Sequence, residues 1–390
     1  MGENTNFDEL CQKDRNDKLA LLKSAKEHIN AKKEEFGLEY MTPETSGLDN
    51  PTDGILKGIF STHKDFNSIA NAVKNGKPWA IVSGINPSGP IHLGHLSLFR
   101  ENASLQKLGA DIFIPLSNDE SFLFDKAESL AQAEEIAWKS IIPSIIAMGF
   151  DPEKTHIYID TDFSSIYTLA IHAAKHFSLT HVKGVFGFED DVSPAYAFYL
   201  GGIQMAHILM PQLAEFGGPR PTLVPVGIDQ HPYIQVSRRF ARRFNFVPPA
   251  ELNLKFLPSL GGPSVKMSAS QPNSCIYVTD DMNVVKKKIK TAYTGGSPVL
   301  KYQQEYGGIP DVCSIFGILQ YHLLNPEETK ELHGLCESGI QKCKDCKERT
   351  LAGLEILLME HQNKCKQALD IADKFMLKKP VTSFRYLGGK

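Results

Sequence analysis

The chain has 390 residues, with 42 Lys and Arg against 45 Asp and Glu, a formal net charge of −3. Its 42% apolar and 22% charged residues suit a chain that buries a core, which excludes collagen-like, low-complexity and disordered classes. The length fits two domains with a short extension, no run approaches the roughly 18 apolar residues of a membrane helix, and seven cysteines, an odd number, point to a reducing, cytoplasmic setting.

Apolar spacing at Leu19, Leu22, Ala25 and Ile29 predicts a helix over Lys18 to Phe36. A Thr, Gly, Asn and Pro loop follows, from Thr42 to Gly54, so residues 1–55 read as a helical extension and linker. From Gly58 short apolar runs alternate with longer amphipathic ones, the pattern of βα units. Strands are predicted at Trp79–Ser83, Asp111–Leu116, His156–Ile159 and Thr222–Val226, and helices from His92, over Leu130–Met148 and over Ile166–His176. From Asp281 to near Met376 only helical periodicity remains. The expected fold class is α/β: a Rossmann-like, parallel-sheet nucleotide-binding domain over 56–280, then an all-α domain over 281–390.

Two segments stand out chemically. In Pro87 to His95 a strand runs through a Pro/Gly turn into a helix whose first turn holds His92, Gly94 and His95. Such a start presents backbone N–H groups and a positive dipole end, a seat for phosphate, while Gly94 lets a flat ligand approach. The competing reading is a capped helix with incidental histidines. Far downstream, Lys266-Met267-Ser268-Ala269-Ser270 lies between Gly261-Gly262-Pro263 and Gln271-Pro272-Asn273. A lysine and two hydroxyls on a Gly/Pro-flanked loop suit a charge that meets departing pyrophosphate, although solvated loop lysines are ordinary.

Together the two segments resemble the paired signatures of class I aminoacyl-tRNA synthetases. Further matches are Ser117-Asn118-Asp119-Glu120, the run Val182 to Phe188, the run Val224 to Tyr233, Thr294-Gly295-Gly296, and Cys343 with Cys346. These resemble the tryptophanyl branch of archaeal and eukaryotic type, across roughly Gly58 to Lys379. The resemblance implies a tryptophan–tRNA ligase that joins tryptophan to ATP, with Mg²⁺ on the phosphates, and passes the aminoacyl group to tRNA. His92, His95 and Lys266 would be catalytic. Ser83, Gly84, His92, Gly94, His95, Gly227, Asp229, Lys266, Met267, Ser268 and Ser270 would hold ATP. Val82, Pro115, Glu120, Gln204 and Gln230 would meet the amino acid. Residues 281–390 would bind the anticodon, and a homodimer is implied, its interface near Val182 to Gln212.

Val82 and Pro115 stand where the family carries a tyrosine and a glutamine that read the indole N–H, Ser121 stands for a basic residue, and Ile85-Asn86 for Arg-Gly. Asn118, Gln204 or His207 are the candidate replacements for the polar readers, and a different amino acid or a non-catalytic RNA-binding role is the alternative. Cys336, Cys343, Cys346 and Cys365 invite a zinc site but are read as free thiols, with no metal ligands assigned. Arg238, Arg239, Arg242 and Arg243 form two columns on a helix, one of which could meet tRNA phosphate, as could Lys286–Lys290 and the tail near Lys378, Lys379 and Arg385. His231 is read as an ordinary partly buried histidine.

Overall fold

The computed structural model describes residues 3–187, 193–263, 267 and 271–387. The described strands form one sheet: β1 (Glu39–Tyr40), β2 (Phe60–Lys64), β3 (Ala80–Val82), β4 (Asp111–Leu116), β5 (Thr155–Ile159), β6 (Thr222–Val226) and β7 (Ala250–Leu254). Their spatial order is β1-β2-β7-β6-β3-β4-β5. Pairing is parallel from β7 to β5, while β2 runs antiparallel to β7 and β1 to β2. The fold is thus α/β with a mostly parallel sheet and a helical C-terminal region, as expected.

Three strands go beyond the sequence reading, for a physical reason. β7 buries Glu251 and Asn253, and β2 buries Thr62 and His63, so neither shows a clean apolar pattern. Asn253 Nδ2 donates to Thr62 Oγ1 at 3.0 Å, pairing the inward polar groups across the antiparallel seam. β1 is only two residues long.

From β3 the chain steps outward through β4 and β5, then returns to the other side of β3 for β6 and β7. The strand order therefore reverses between β3 and β6, and the crevice beyond their carboxyl ends is where open sheets bind ligands. Pro115 sits in β4, a central strand, where a missing N–H usually breaks a ladder. Here β3 ends at Val82, opposite Phe113, so Pro115 faces a loop, and its carbonyl accepts from Ile85 N at 3.0 Å.

Ile81, Ile112, Ile114 and Ile157 face one side of the sheet, where they pack with Leu96 and Phe99 of α2 (Leu93–Gln106). Val82, Phe113 and Tyr158 face the other, against Ile166 and Leu169 of α3 (Ser165–Ala174) and the segment Tyr199 to Ala206. The N-terminal helix α1 (Glu3–Phe36) begins earlier than its apolar spacing suggests. It rests on the helical region, where buried Lys18 donates to Gly296 O at 2.6 Å and Arg15 to Gly307 O at 2.8 Å. At the other end of the chain, Leu377 N donates to Ile157 O at 2.7 Å, which adds a last segment to the edge of β5. No helix among the described residues is long and apolar enough to cross a membrane.

Candidate active site

The two outstanding segments meet at the crevice. His92 forms an antiparallel bridge with Tyr277, Leu93 N donates to Ile276 O and Val278 N to Ile91 O, each at 2.9 Å. The backbone just after the lysine loop is thus stitched to the start of α2. Met267, within that loop, lies over Gly94: a Cβ on Gly94 would fall 3.2 Å from Met267 Sδ and 2.9 Å from His92 Cε1. Lys266, Ser268 and Ser270 fall outside the described residues, as does Phe188.

One expectation about α2 needs correction. Its first amides are not open, because Leu93 N is taken by Ile276 O and Gly94 N donates to His92 Nδ1 at 3.1 Å. An anion here would meet imidazole before amide. With Nδ1 accepting, the neutral His92 ring carries its proton on Nε2 and donates from there. The His92 and His95 rings stack with centroids 3.8 Å apart. Burial lowers His92 to about 4, and burial with His92 alongside lowers His95 to about 3, so both are neutral near pH 7. His95 Nδ1 is buried without a partner among the described residues.

Around the crevice the glycines are needed for close approach. A Cβ on Gly84 would fall 2.8 Å from Pro115 Cγ, and one on Gly227 would fall 2.5 Å from Asp229 Oδ1 and Phe256 Cζ. The Ser83 hydroxyl is buried without a partner among the described residues. Asp229 is exposed and accepts from Gln230 Nε2 at 3.1 Å.

Glu120 is the most connected of the expected residues. Tyr199 Oη donates to its Oε2 at 2.9 Å, while Lys126 Nζ at 2.9 Å and Asn86 Nδ2 at 3.1 Å donate to its Oε1. Lys126 thus places a cation on Glu120 five residues on from Ser121; Ser121 itself is buried and bonds Ser117 O at 3.3 Å. Val82 and Pro115 lie on neighbouring strands, and Val82 is buried in one apolar cluster with Phe113, Tyr199 and Ile203. Gln204 is half-buried at the start of helix Gln204–Leu209.

Beside them sits a buried polar group that sequence reasoning only touched. His207 Nε2 lies 3.0 Å from Asp160 Oδ1, and Asp119 Oδ2 accepts from Tyr167 Oη at 3.0 Å. Burial and the neighbouring Asp160 push Asp119 up to about 7. Burial alone would lower His207, but Asp160 outweighs it and raises the ring above its ordinary value. Asn118 is engaged elsewhere, its Nδ2 donating to Thr161 Oγ1 at 2.7 Å. Lys126, Tyr199 and Asp160 were not singled out, because no local motif marks them; Asp119 was visible only as part of its tetrapeptide.

Two other readings resolve. His231 is buried, its Nδ1 2.7 Å from Glu251 Oε2 and its ring stacked on Phe36 at 4.1 Å, so it is a packing residue. Arg238 turns inward to Pro249 O at 2.6 Å and to Asp65, which leaves Arg239 and Arg243 as the exposed column on α4 (His231–Arg243).

Residues 74–358 match the model of the tRNA synthetases class I (W and Y). The tryptophan–tRNA ligase of Pyrobaculum calidifontis is 36% identical over 328 residues, 83% of this chain and 86% of that one. That of Methanocaldococcus jannaschii is 34% identical over 88% of this chain and 93% of its own. The crystal structure of tryptophanyl-tRNA synthetase from Aeropyrum pernix superposes with a TM-score of 0.80 at 31% identity, covering 89% of this chain and 95% of that one. With its two signature segments joined across the switch point of a parallel sheet, the chain belongs to the class I tRNA synthetases of the tryptophan and tyrosine family.

Proposed function

We propose that this chain is a tryptophan–tRNA ligase, activating tryptophan with ATP and transferring it to tRNA. The observation that carries the reading is the contact of Met267 with Gly94 beneath the stacked imidazoles, which joins the histidine and lysine segments over the crevice. A carboxylate attacking a phosphate needs no general base, so the site has to position and to stabilise charge. His92 and His95 would donate to the phosphates as neutral rings, and Lys266, Ser268 and Ser270 would follow the leaving pyrophosphate. Ser83, Gly84, Gly227 and Asp229 would hold adenine and ribose, with Gln204 and Gln230 on the amino acid. Glu120 would take the substrate ammonium at the oxygen that Lys126 now occupies.

Mg²⁺ would arrive on the triphosphate. No three ligating side chains among the described residues are grouped to hold it, and no step here runs through it. The division at about residue 280, an anticodon role for 281–390, a homodimer and a cytoplasmic location are parts of the same proposal.

The test is ATP–pyrophosphate exchange across the twenty amino acids, with tryptophan expected to drive it. Exchange with tyrosine alone, or with nothing, would replace this reading by one of its rivals. Gly94→Ala should slow tryptophan-driven exchange about 100-fold, since a displacement near 1 Å of the imidazoles costs on that order. Its melting temperature should stay near that of the parent, because the helix tolerates alanine.

The missing indole readers suggest a different acceptor. Asp119 and Asp160 lie at the carboxyl ends of β4 and β5, close to the Val82 face, and would accept the indole N–H. With Asp119 near 7, its ionised, accepting form is lost as the pH falls through that value. The tryptophan KM should therefore rise roughly tenfold from pH 8 to pH 6, and Asp119→Asn should flatten that dependence. A KM independent of pH in both proteins would place the acceptor elsewhere.

A further inference from the structure

Beyond α5 (Ser314–Ile318) the helix widens into a π-turn, Leu319–Leu323, closed by Leu324 N donating to Leu319 O at 2.9 Å. Such turns are rare and gather at functional sites. Three consecutive side chains of this turn each grip a different segment of the sheet-bearing part of the chain. Gln320 Nε2 donates to Lys57 O at 2.8 Å, Tyr321 Oη donates to Lys255 O at 2.9 Å, and the buried His322 reaches α2. Consecutive residues on a helix point apart, so the turn is sunk among these segments instead of resting on one of them.

The grip on α2 falls on the turn that starts the site. His322 Nε2 lies 3.1 Å from Ser97 Oγ, and Ser97 Oγ donates to Leu93 O at 2.9 Å. With its hydrogen directed at that carbonyl, the serine oxygen accepts, so the imidazole carries its proton on Nε2 and donates. The same imidazole also bonds the Leu93 backbone. Leu93 stands between His92 and His95, and its N–H is held by Ile276 O. Both backbone groups of this one residue are therefore fixed, the carbonyl with help from the helical region and the amide by the segment after the lysine loop. Arg100 of α2 answers in the other direction, its Nη1 donating to His322 O at 3.1 Å. Burial, with Arg100 alongside, lowers His322 to about 3, so it stays a neutral donor at any working pH.

We propose that His322 is a positioning residue for adenylate formation, holding the first turn of α2 so that the His92 and His95 imidazoles stand ready for the phosphates. It acts through Ser97 and Leu93, not on the substrate. Gln320 and Tyr321 bond other segments, so docking of the helical region and positioning of α2 fall to separate residues of one turn. That separation makes the role testable. The inference rests on the ligase reading for its chemistry, though not for its geometry.

The test compares His322→Leu, which removes the donor and keeps an apolar side chain in the space, with His322→Gln, whose Nε2–H can restore the bond. Gln320→Ala, which loosens the same turn from Lys57, is the control for docking. In tryptophan-driven ATP–pyrophosphate exchange, His322→Leu should lower kcat at least about tenfold, since a displacement near 1 Å costs about 100-fold. Its tryptophan KM should stay within about twofold of the parent. His322→Gln should recover kcat to within about threefold, and Gln320→Ala should match the parent. Ser97→Ala, which removes the bridging hydroxyl, should lower kcat in the same sense and serves where thermal melts show His322→Leu unfolded. Hydrogen exchange read by mass spectrometry is independent of activity: the amides of Leu96 to Arg100 should exchange faster in His322→Leu and at the parent's rate in His322→Gln. An unchanged kcat, an equal loss in Gln320→Ala, or unaltered protection of α2 would overturn the assignment. A parent inactive with every amino acid would sink the ligase reading, and protection of α2 would then decide the positioning role by itself.

Discussion

Replacing Glu120 with glutamine is expected to raise the tryptophan KM at least about 30-fold, with a smaller effect on kcat. Removing the ionised partner of a desolvated charge pair costs roughly 2 kcal/mol or more, which is that factor. The amide would keep the bond from Tyr199 but offer no charge to an arriving ammonium. Lys126 gives the internal control. Its Nζ occupies Oε1, the oxygen the ammonium needs, so Lys126→Met should lower KM by removing the competing cation and leaving only Asn86 there. Exchange kinetics at varied tryptophan read both effects, and a Glu120→Gln KM within twofold of the parent would show that the ammonium binds elsewhere.

The largest loss of stability is expected from His231→Leu. This substitution strands Glu251, a fully buried carboxylate whose other oxygen already lacks a partner among the described residues. Leaving a buried polar group without its hydrogen-bond partner costs roughly 1–3 kcal/mol, more for a charged one. The double replacement His231→Leu with Glu251→Leu should recover most of that, since a buried pair and an apolar pair of similar volume are often near parity. Thermal melts of the three variants check this. A double variant no better than His231→Leu would place the cost in the lost stacking on Phe36 instead.

These contacts also explain what was legible in the sequence. β3, β4, β5 and β6 read clearly because their inward residues are Ile, Val, Leu and Phe in short runs between Gly and Pro. β2 and β7 did not, because they bury polar residues: Thr62, Glu251 and Asn253, which find partners elsewhere in the chain, and His63, whose ring nitrogens have none among the described residues. The same division holds at the crevice. His92, Gly94, Gly227 and Glu120 were marked by local motifs. Lys126 and Tyr199 act through a fold that closes residues 120 and 199 onto each other, and the capping of Gly94 N by His92 Nδ1 is a rotamer choice with no sequence signature.

The antiparallel seam has a consequence for how the chain is made. Thr62 and Asn253, hydrogen-bonded in the finished sheet, are 191 residues apart. At roughly 5–20 residues per second of synthesis, β2 waits on the order of 10–40 s for the strand that accepts it. Through that interval Phe60 and an unpaired strand edge stand open to other nascent chains. The polar pairing that hid these strands from the sequence pattern also serves the nascent chain: a buried Thr62 finds its hydrogen bond only when the strand carrying Asn253 arrives.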